Sequence, residues 1–275
     1  MPNTLIIICF FTFLIHITEA VAYSMRLAGL RTGQIAISMA FVTSTLLVSR
    51  LSNMFQAPLL GNMLDSTIMI GTPAALSTLE FNFRLVIFAG FLGSLAGAFI
   101  TPTVVNLFQK AIKRFLICGS VPRVMLSVLR PRNTWLIIKS FRFPRLKNLR
   151  GISIKNSPKT FLILNSLVAS IYTIGVLCSL LAGAYMPDLR STANQLSGIV
   201  NGLATIMFTI FVDPSGARIT DQAVHGTRQE SDVKSVVFFL QIGRLFGTLI
   251  IAQLAFKPFT LYIIEVTKWI SGVVN

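Results

Sequence analysis

Three arginines stand where arginine is expensive. Arg26 follows the first apolar run, Arg50 comes late in the second, and Arg244 lies inside the last. A guanidinium deep in hydrocarbon costs roughly 2.5 to 3.5 kcal/mol even on the lenient insertion scale. Its planar fork of donors fits the paired oxygens of a phosphate or carboxylate. The chemistry on offer is the binding of an anion. Arg50 is followed by two amides, Asn53 and Gln56, and then by Pro58 and Gly61. Proline and glycine at those points predict a helix break, and Pro214 predicts another. Such a segment is tolerable in a membrane only where it faces protein or a wet cavity. Snorkelling to the interface is the other reading of Arg50, which is about 24 Å above Gln34 at the usual helical rise. In the first run, Thr12, His16, Glu19, Tyr23 and Arg26 recur at helical spacing and share one face. His16 and Glu19 either bond neighbouring helices or line a cavity, where they would balance an arginine or carry a coupling proton.

The elements that must hold these residues are membrane helices. The chain has 275 residues, 53% of them hydrophobic and 12% charged, and a mean hydropathy of +0.74. A soluble domain carries about 25% charged residues. The pattern predicts an all-α polytopic membrane protein with about six transmembrane helices, near residues 4–23, 34–60, 85–108, 161–186, 195–212 and 235–256. Residues 26–33 read as a short basic turn, and Asp65, Glu80 and Arg84 fall in a loop. Two further polar faces recur at helical spacing: Asn194, Ser197, Asn201, Thr205 and Thr209, and then Gln241, Arg244 and Thr248. Residues 257–275 span the membrane, lie on it, or extend the sixth helix. Ala20-Val21-Ala22 resembles a signal-peptide cleavage site, but no Lys or Arg occurs in the first fifteen residues. The first segment is therefore expected to remain as a transmembrane helix.

The net charge of +15 is local. Thirteen of the 24 basic residues lie between Lys110 and Lys159, and no acid occurs between Glu80 and Asp188. Within that stretch the charges alternate with bulky apolar residues such as Trp135 and Phe141. This mixture suggests interfacial helices on anionic lipid rather than a nucleic-acid-binding loop. The positive-inside rule places it in the cytoplasm and both termini outside. Three parts follow: helices one to three in residues 1–109, the basic cytoplasmic loop in 110–160, and helices four to six with an amphipathic tail in 161–275.

The halves are weakly alike. Ala20–Tyr23 matches Ala182–Tyr185, Gly93-Ser94-Leu95 matches Gly247-Thr248-Leu249, and Pro58 and Pro102 match Pro214 and Pro258. Three helices per copy would make this a 3+3 inverted repeat, with a binding site between the halves. Other chemistry has no signature. There is no phosphate-binding GxxxxGK[ST] loop, no HExxH, no GxSxG and no metal-ligand spacing among Cys9, Cys118 and Cys178. No cofactor, no metal and no catalytic residues are expected.

His16-Ile-Thr-Glu19, Arg26-Leu-Ala-Gly-Leu-Arg-Thr32 and above all Ser49-Arg-Leu-Ser-Asn-Met-Phe-Gln-Ala-Pro-Leu-Leu-Gly61 carry a resemblance over the whole chain. The sequence resembles the Amj family, bacterial lipid II flippases that act as alternates to MurJ. The resemblance implies residence in the cytoplasmic membrane and a part in peptidoglycan synthesis. The cargo would be lipid II, the undecaprenyl-pyrophosphoryl disaccharide-pentapeptide. It brings no site residues of its own. From the residues themselves, Arg26, Arg50, Asn53, Gln56 and Arg244 are the candidate head-group contacts, and anionic lipids are the expected partners of the basic loop. Two other readings fit the same residues: a transporter of another anionic lipid of the undecaprenyl-phosphate type, and a scaffold that recruits a partner through the basic loop.

Overall fold

A computed structural model of the chain describes residues 2–128, 141–142, 151–153 and 159–274. The described residues form helices and short turns, without a strand. The helices are α1 (Pro2–Ala22), α2 (Met25–Thr32), α3 (Ile35–Ile70), α4 (Pro73–Cys118) and α5 (Val121–Val128) before the loop. After it come α6 (Lys159–Tyr185), α7 (Arg190–Met207), α8 (Asp213–Val224), α9 (Glu230–Phe246) and α10 (Ala252–Val274). The α7–α8 junction is a π-turn at Phe208–Val212, and the α9–α10 junction is another at Gly247–Ile251. Six continuous runs among the described residues are long and apolar enough to cross a membrane. Arg130, Arg132, Trp135, Lys139 and Arg145 of the expected interfacial loop lie outside the described residues.

Several expectations are corrected. Neither Pro58 nor Gly61 breaks its helix, because α3 runs through both. Proline removes one N–H and frees the carbonyl of Met54, and both residues are on the exposed flank. The remaining ladder stays intact, since a backbone in apolar surroundings has no other partner to turn to. Pro214 does not end its helix either. It is carried inside the continuous α7–α8 run, where the π-turn just before it accommodates the ring.

The residues read as a basic turn, 26–33, form the helix α2. The loop expected to hold Asp65, Glu80 and Arg84 shrinks to Gly71-Thr72, and all three residues are helical. Gly71 ends α3 in the left-handed conformation at φ 66°. Thr72 then accepts a hydrogen bond from the Ala75 N–H at 3.2 Å, and Pro73 opens α4. Helix α4 also continues past residue 108 to Cys118, so Lys110, Lys113 and Arg114 are helical. Its 46 residues make it about 69 Å long, more than twice the hydrocarbon thickness. Of the three readings of the C-terminal residues, the structure takes the last, because α9, the π-turn and α10 form one run.

Helix α1 lies along α3 and α4, and α6 lies along α7 and the α9–α10 run. Each contact is set by glycine. A Cβ on Gly93 would stand closer than 3.0 Å to the backbone carbonyl of Phe13 on α1, and one on Gly247 equally close to that of Ser166 on α6. Small residues let helix backbones approach where lipid offers no hydrophobic drive to association. Two apolar clusters result. One includes Ile8, Leu64, Phe83, Leu181 and Phe256. The other gathers Met25, Phe41, Ile112, Phe161 and Val233 at the end that carries the basic loop. Helix α1 therefore runs towards the loop end, and α6 starts from it. Between the clusters lies a layer of polar side chains.

Candidate functional site

The polar layer is built around Arg244. Its side chain is 7% exposed and pairs with Glu19, whose side chain is 31% exposed. The same Nη2 donates to His16 Nδ1 at 3.0 Å, and Nε donates to Ser94 Oγ at 3.1 Å. Arginine has only donors, so Nδ1 must accept. That leaves the imidazole neutral with its proton on Nε2, which faces Gly90. Ser49 Oγ donates to the other oxygen of Glu19 at 3.1 Å. Next to this group, Gln241 Nε2 donates to the Ala20 carbonyl at 3.0 Å and to Thr101 Oγ1 at 2.9 Å. The helical spacing of His16 and Glu19 on α1 thus becomes a cradle for an arginine from the other half of the chain.

Arg26 lies in a second cradle towards the loop end. Its side chain is 10% exposed and pairs with Asp213, whose side chain is 41% exposed. The guanidinium lies over Gly216, where a Cβ would approach Cζ to 3.2 Å. Further out, Arg31 donates to Glu230 through both Nε, at 3.0 Å, and Nη2, at 2.8 Å. At the opposite end Arg84 of α4 donates to the Gln253 carbonyl at 3.0 Å and to Glu80 at 3.1 Å.

Arg50 is different. It is exposed and makes no hydrogen bond or ion pair with any of the described residues, and Asn53 is exposed beside it. Helical phase shows where they lie. Asn53, Leu60 and Leu64 are spaced by seven and four, so they share one flank of α3. Leu60 and Leu64 are buried in the cluster that contains Ile174, Leu177 and Leu181 of α6. Phe55, about 140° round the helix from Arg50, stacks on Phe11 of α1 at 5.8 Å. Arg50 therefore projects away from the flank of α3 that stacks on α1.

Helix α3 and the α7–α8 run are the two least buried spans, and α7 exposes Ile199, Leu203 and Ile206. Tyr172 of α6 donates to Thr205 of α7 at 2.7 Å, in an exposed position. Glu19, the Tyr172–Thr205 pair and the Arg50–Asn53 flank are thus partly or fully exposed polar groups on α1, on α6 and α7, and on α3. A separate shallow pocket of about 340 Å³ lies between α7 and α10, lined by Ser191, Gln195 and Ile270, and holds none of the arginines.

Of the residues picked from sequence, the structure gathers His16, Glu19 and Arg244 into one cluster and places Arg26 in a pair of its own. Gln56 is drawn away. It is buried and donates to Thr12 Oγ1, tying α3 to α1. Gly61 has no neighbour that a Cβ would meet within 4 Å. Asp213, Ser94 and Tyr172 were missed by sequence reasoning. Asp213 had a signal, a carboxylate directly before a proline at the end of an apolar run. Ser94 had none beyond its place in a stripe of small residues.

A model of the Amj family, described as alternate to MurJ, matches residues 11–267. The chain belongs to the Amj family. It is 36% identical over 268 residues to the lipid II flippase Amj of Bacillus subtilis (strain 168), covering 97% of each chain. No solved structure matches it.

Proposed function

We propose that this Amj-family protein is a lipid II flippase of the bacterial cytoplasmic membrane. It would move the undecaprenyl-pyrophosphate-linked peptidoglycan precursor from the inner to the outer leaflet, without catalysing a covalent step. The observation that carries the reading is the 36% identity to the Bacillus subtilis flippase over nearly the whole length of both chains. The structure supports it through the open flank of α3. A lipid-linked diphosphate needs a polar surface reached sideways from the bilayer, with its tail left in lipid. Arg50, unpaired among the described residues, and Asn53 supply such a surface. Arg26 and Arg244 lie deeper, each beside a partly exposed carboxylate. In this reading the diphosphate meets Arg50 and Asn53, and then Arg26 and Arg244. His16 and Ser94 hold Arg244 in place. Gln56 supports the wall from behind. Pro58 and Gly61 sit on the lining helix, and Pro214 sits at the π-turn of the α7–α8 run.

In this reading the loop end faces the cytoplasm, and the basic residues between Lys110 and Lys159 would be drawn to anionic lipid. In cells that depend on this protein alone, depletion should leave lipid II intact but shielded from an impermeant lipid II-cleaving enzyme added outside. Lipid II that stays cleavable from outside after depletion would refute the flippase reading. Activity lost on trimming the basic loop but kept without the arginines would favour a scaffold.

A further inference from the structure

The two buried arginines are already neutralised, and the way they are neutralised is the same in both. Arg26 belongs to the half before the loop and its carboxylate, Asp213, to the half after it. Arg244 belongs to the second half and its carboxylate, Glu19, to the first. Each half thus lends an arginine to the other. In each pair the arginine is the buried member, 10% and 7% exposed, and the carboxylate the open one, 41% and 31% exposed. The guanidiniums are also fixed from behind, Arg26 by Gly216 and Arg244 by His16 and Ser94. An anion arriving from the open side would therefore meet the carboxylate first and the arginine behind it.

We propose that Asp213 and Glu19 are placeholder ligands that the diphosphate of the cargo displaces from Arg26 and Arg244. The proposal rests on the flippase reading and adds to it how binding would be coupled to movement. A diphosphate offers several oxygens to a guanidinium that one carboxylate now occupies. Exchange keeps each arginine neutralised throughout, and the group it releases is the more exposed member of each pair. Exchange also opens the Arg26–Asp213 and Arg244–Glu19 pairs, two of the ion pairs that join the halves, and leaves Arg31–Glu230 among those that remain. The cargo would loosen the halves from each other by occupying the arginines that tie them. Glu19 is met by Arg244 of α9 and Ser49 of α3, and His16 on its own helix shares Arg244 with it. Those facing Arg26 are Asp213 and the α8 backbone at Gly216.

The sign of a single measurement decides the matter. Full-length protein in lipid nanodiscs is titrated with a lipid II analogue of shortened prenyl chain, and separately with inorganic pyrophosphate. Placeholders compete with the ligand, so Asp213→Asn and Glu19→Gln should each tighten binding, by about fivefold if the competing pair is worth about 1 kcal/mol. Both should slow translocation in vesicles, because the ties are lost in every state. Residues that merely orient the arginines would weaken binding when neutralised. Weaker or unchanged binding in Glu19→Gln would overturn the proposal. That variant keeps His16 and Ser94 on Arg244, so it reports even if Asp213→Asn does not fold. Tightening for pyrophosphate as well as the lipid analogue identifies the diphosphate as the competing group. Tightening for the analogue alone would overturn the diphosphate exchange and point to the sugar-peptide head. If the wild-type protein fails to move lipid II in vesicles while Glu19→Gln still tightens binding, the exchange stands and the flippase reading falls.

Discussion

The two halves of the molecule share a way of packing and differ in what they put there. In the first, Gly93 of α4 rests on the Phe13 carbonyl of α1. In the second, Gly247 rests on the Ser166 carbonyl of α6. Beside the first contact stand ionisable groups, His16 and Glu19. Beside the second stand neutral ones, Ser166 and Asn165, the latter donating to the Leu240 carbonyl at 3.0 Å. The long helices differ as well. Helices α3 and α4 run through Pro58 and Pro102 unbroken, whereas the second half widens into π-turns before Pro214 and Pro258. One of these turns begins three residues after Arg244, and the other ends just before Asp213. The second half thus carries irregular backbone beside both of its contributions to the ion pairs, and π-turns are frequent at functional sites. The first half supplies a straight wall.

The strongest way to break this asymmetry is at Arg244. Arg244→Met leaves Glu19 without its counter-ion in the polar layer, and removing one partner of a buried pair costs about 3 to 5 kcal/mol. The variant should lose thermal stability in detergent and translocation in vesicles together. Arg244→Met combined with Glu19→Gln should recover the stability without the translocation. Failure of that double variant to recover stability would show that the arginine is held by more than the charge of its partner.

The next test asks whether the shared packing is equally strict on both sides. Gly93→Ala and Gly247→Ala each place a methyl against a backbone carbonyl that cannot turn aside. Overpacking of this kind costs about 1 to 3 kcal/mol. Equal losses of thermal stability are expected if both halves rely on the same contact. A milder loss at Gly247 would show that the π-turn gives way where the straight helix cannot.

The smallest effect on stability, and the most selective on function, is expected at Arg50. The side chain is exposed with no partner among the described residues, so Arg50→Lys and Arg50→Gln should accumulate and melt like the parent. Translocation should fall in both, more in Arg50→Gln, because lysine keeps the charge but loses the planar fork. Full activity of both variants would remove Arg50 from the site.

Much of the fold was legible. Six apolar runs, the basic segment and the face shared by His16 and Glu19 follow from composition and helical period, which are local properties. The ends of the helices were less so. Gly71-Thr72-Pro73 was hidden inside a polar stretch that looked like a longer loop, because Asp65, Glu80 and Arg84 suggested solvent. Prolines at 58 and 214 suggested breaks because in water a helix can exchange a lost hydrogen bond for solvent. In an apolar setting the remaining bonds have no such alternative, and the helix continues.

The sequence by itself determined that this chain is helical, crosses a membrane about six times and carries arginines that something must neutralise. Only the tertiary structure decided what neutralises them. Arg26 and Asp213 are 187 positions apart, and Arg244 and Glu19 are 225. No periodicity reaches so far. Hydrophobicity and helical phase act over a few turns, whereas an ion pair requires two particular side chains to meet across packed helices. The same packing left Arg50 facing outward and turned Gln56 inward, although the two lie six residues apart on one helix.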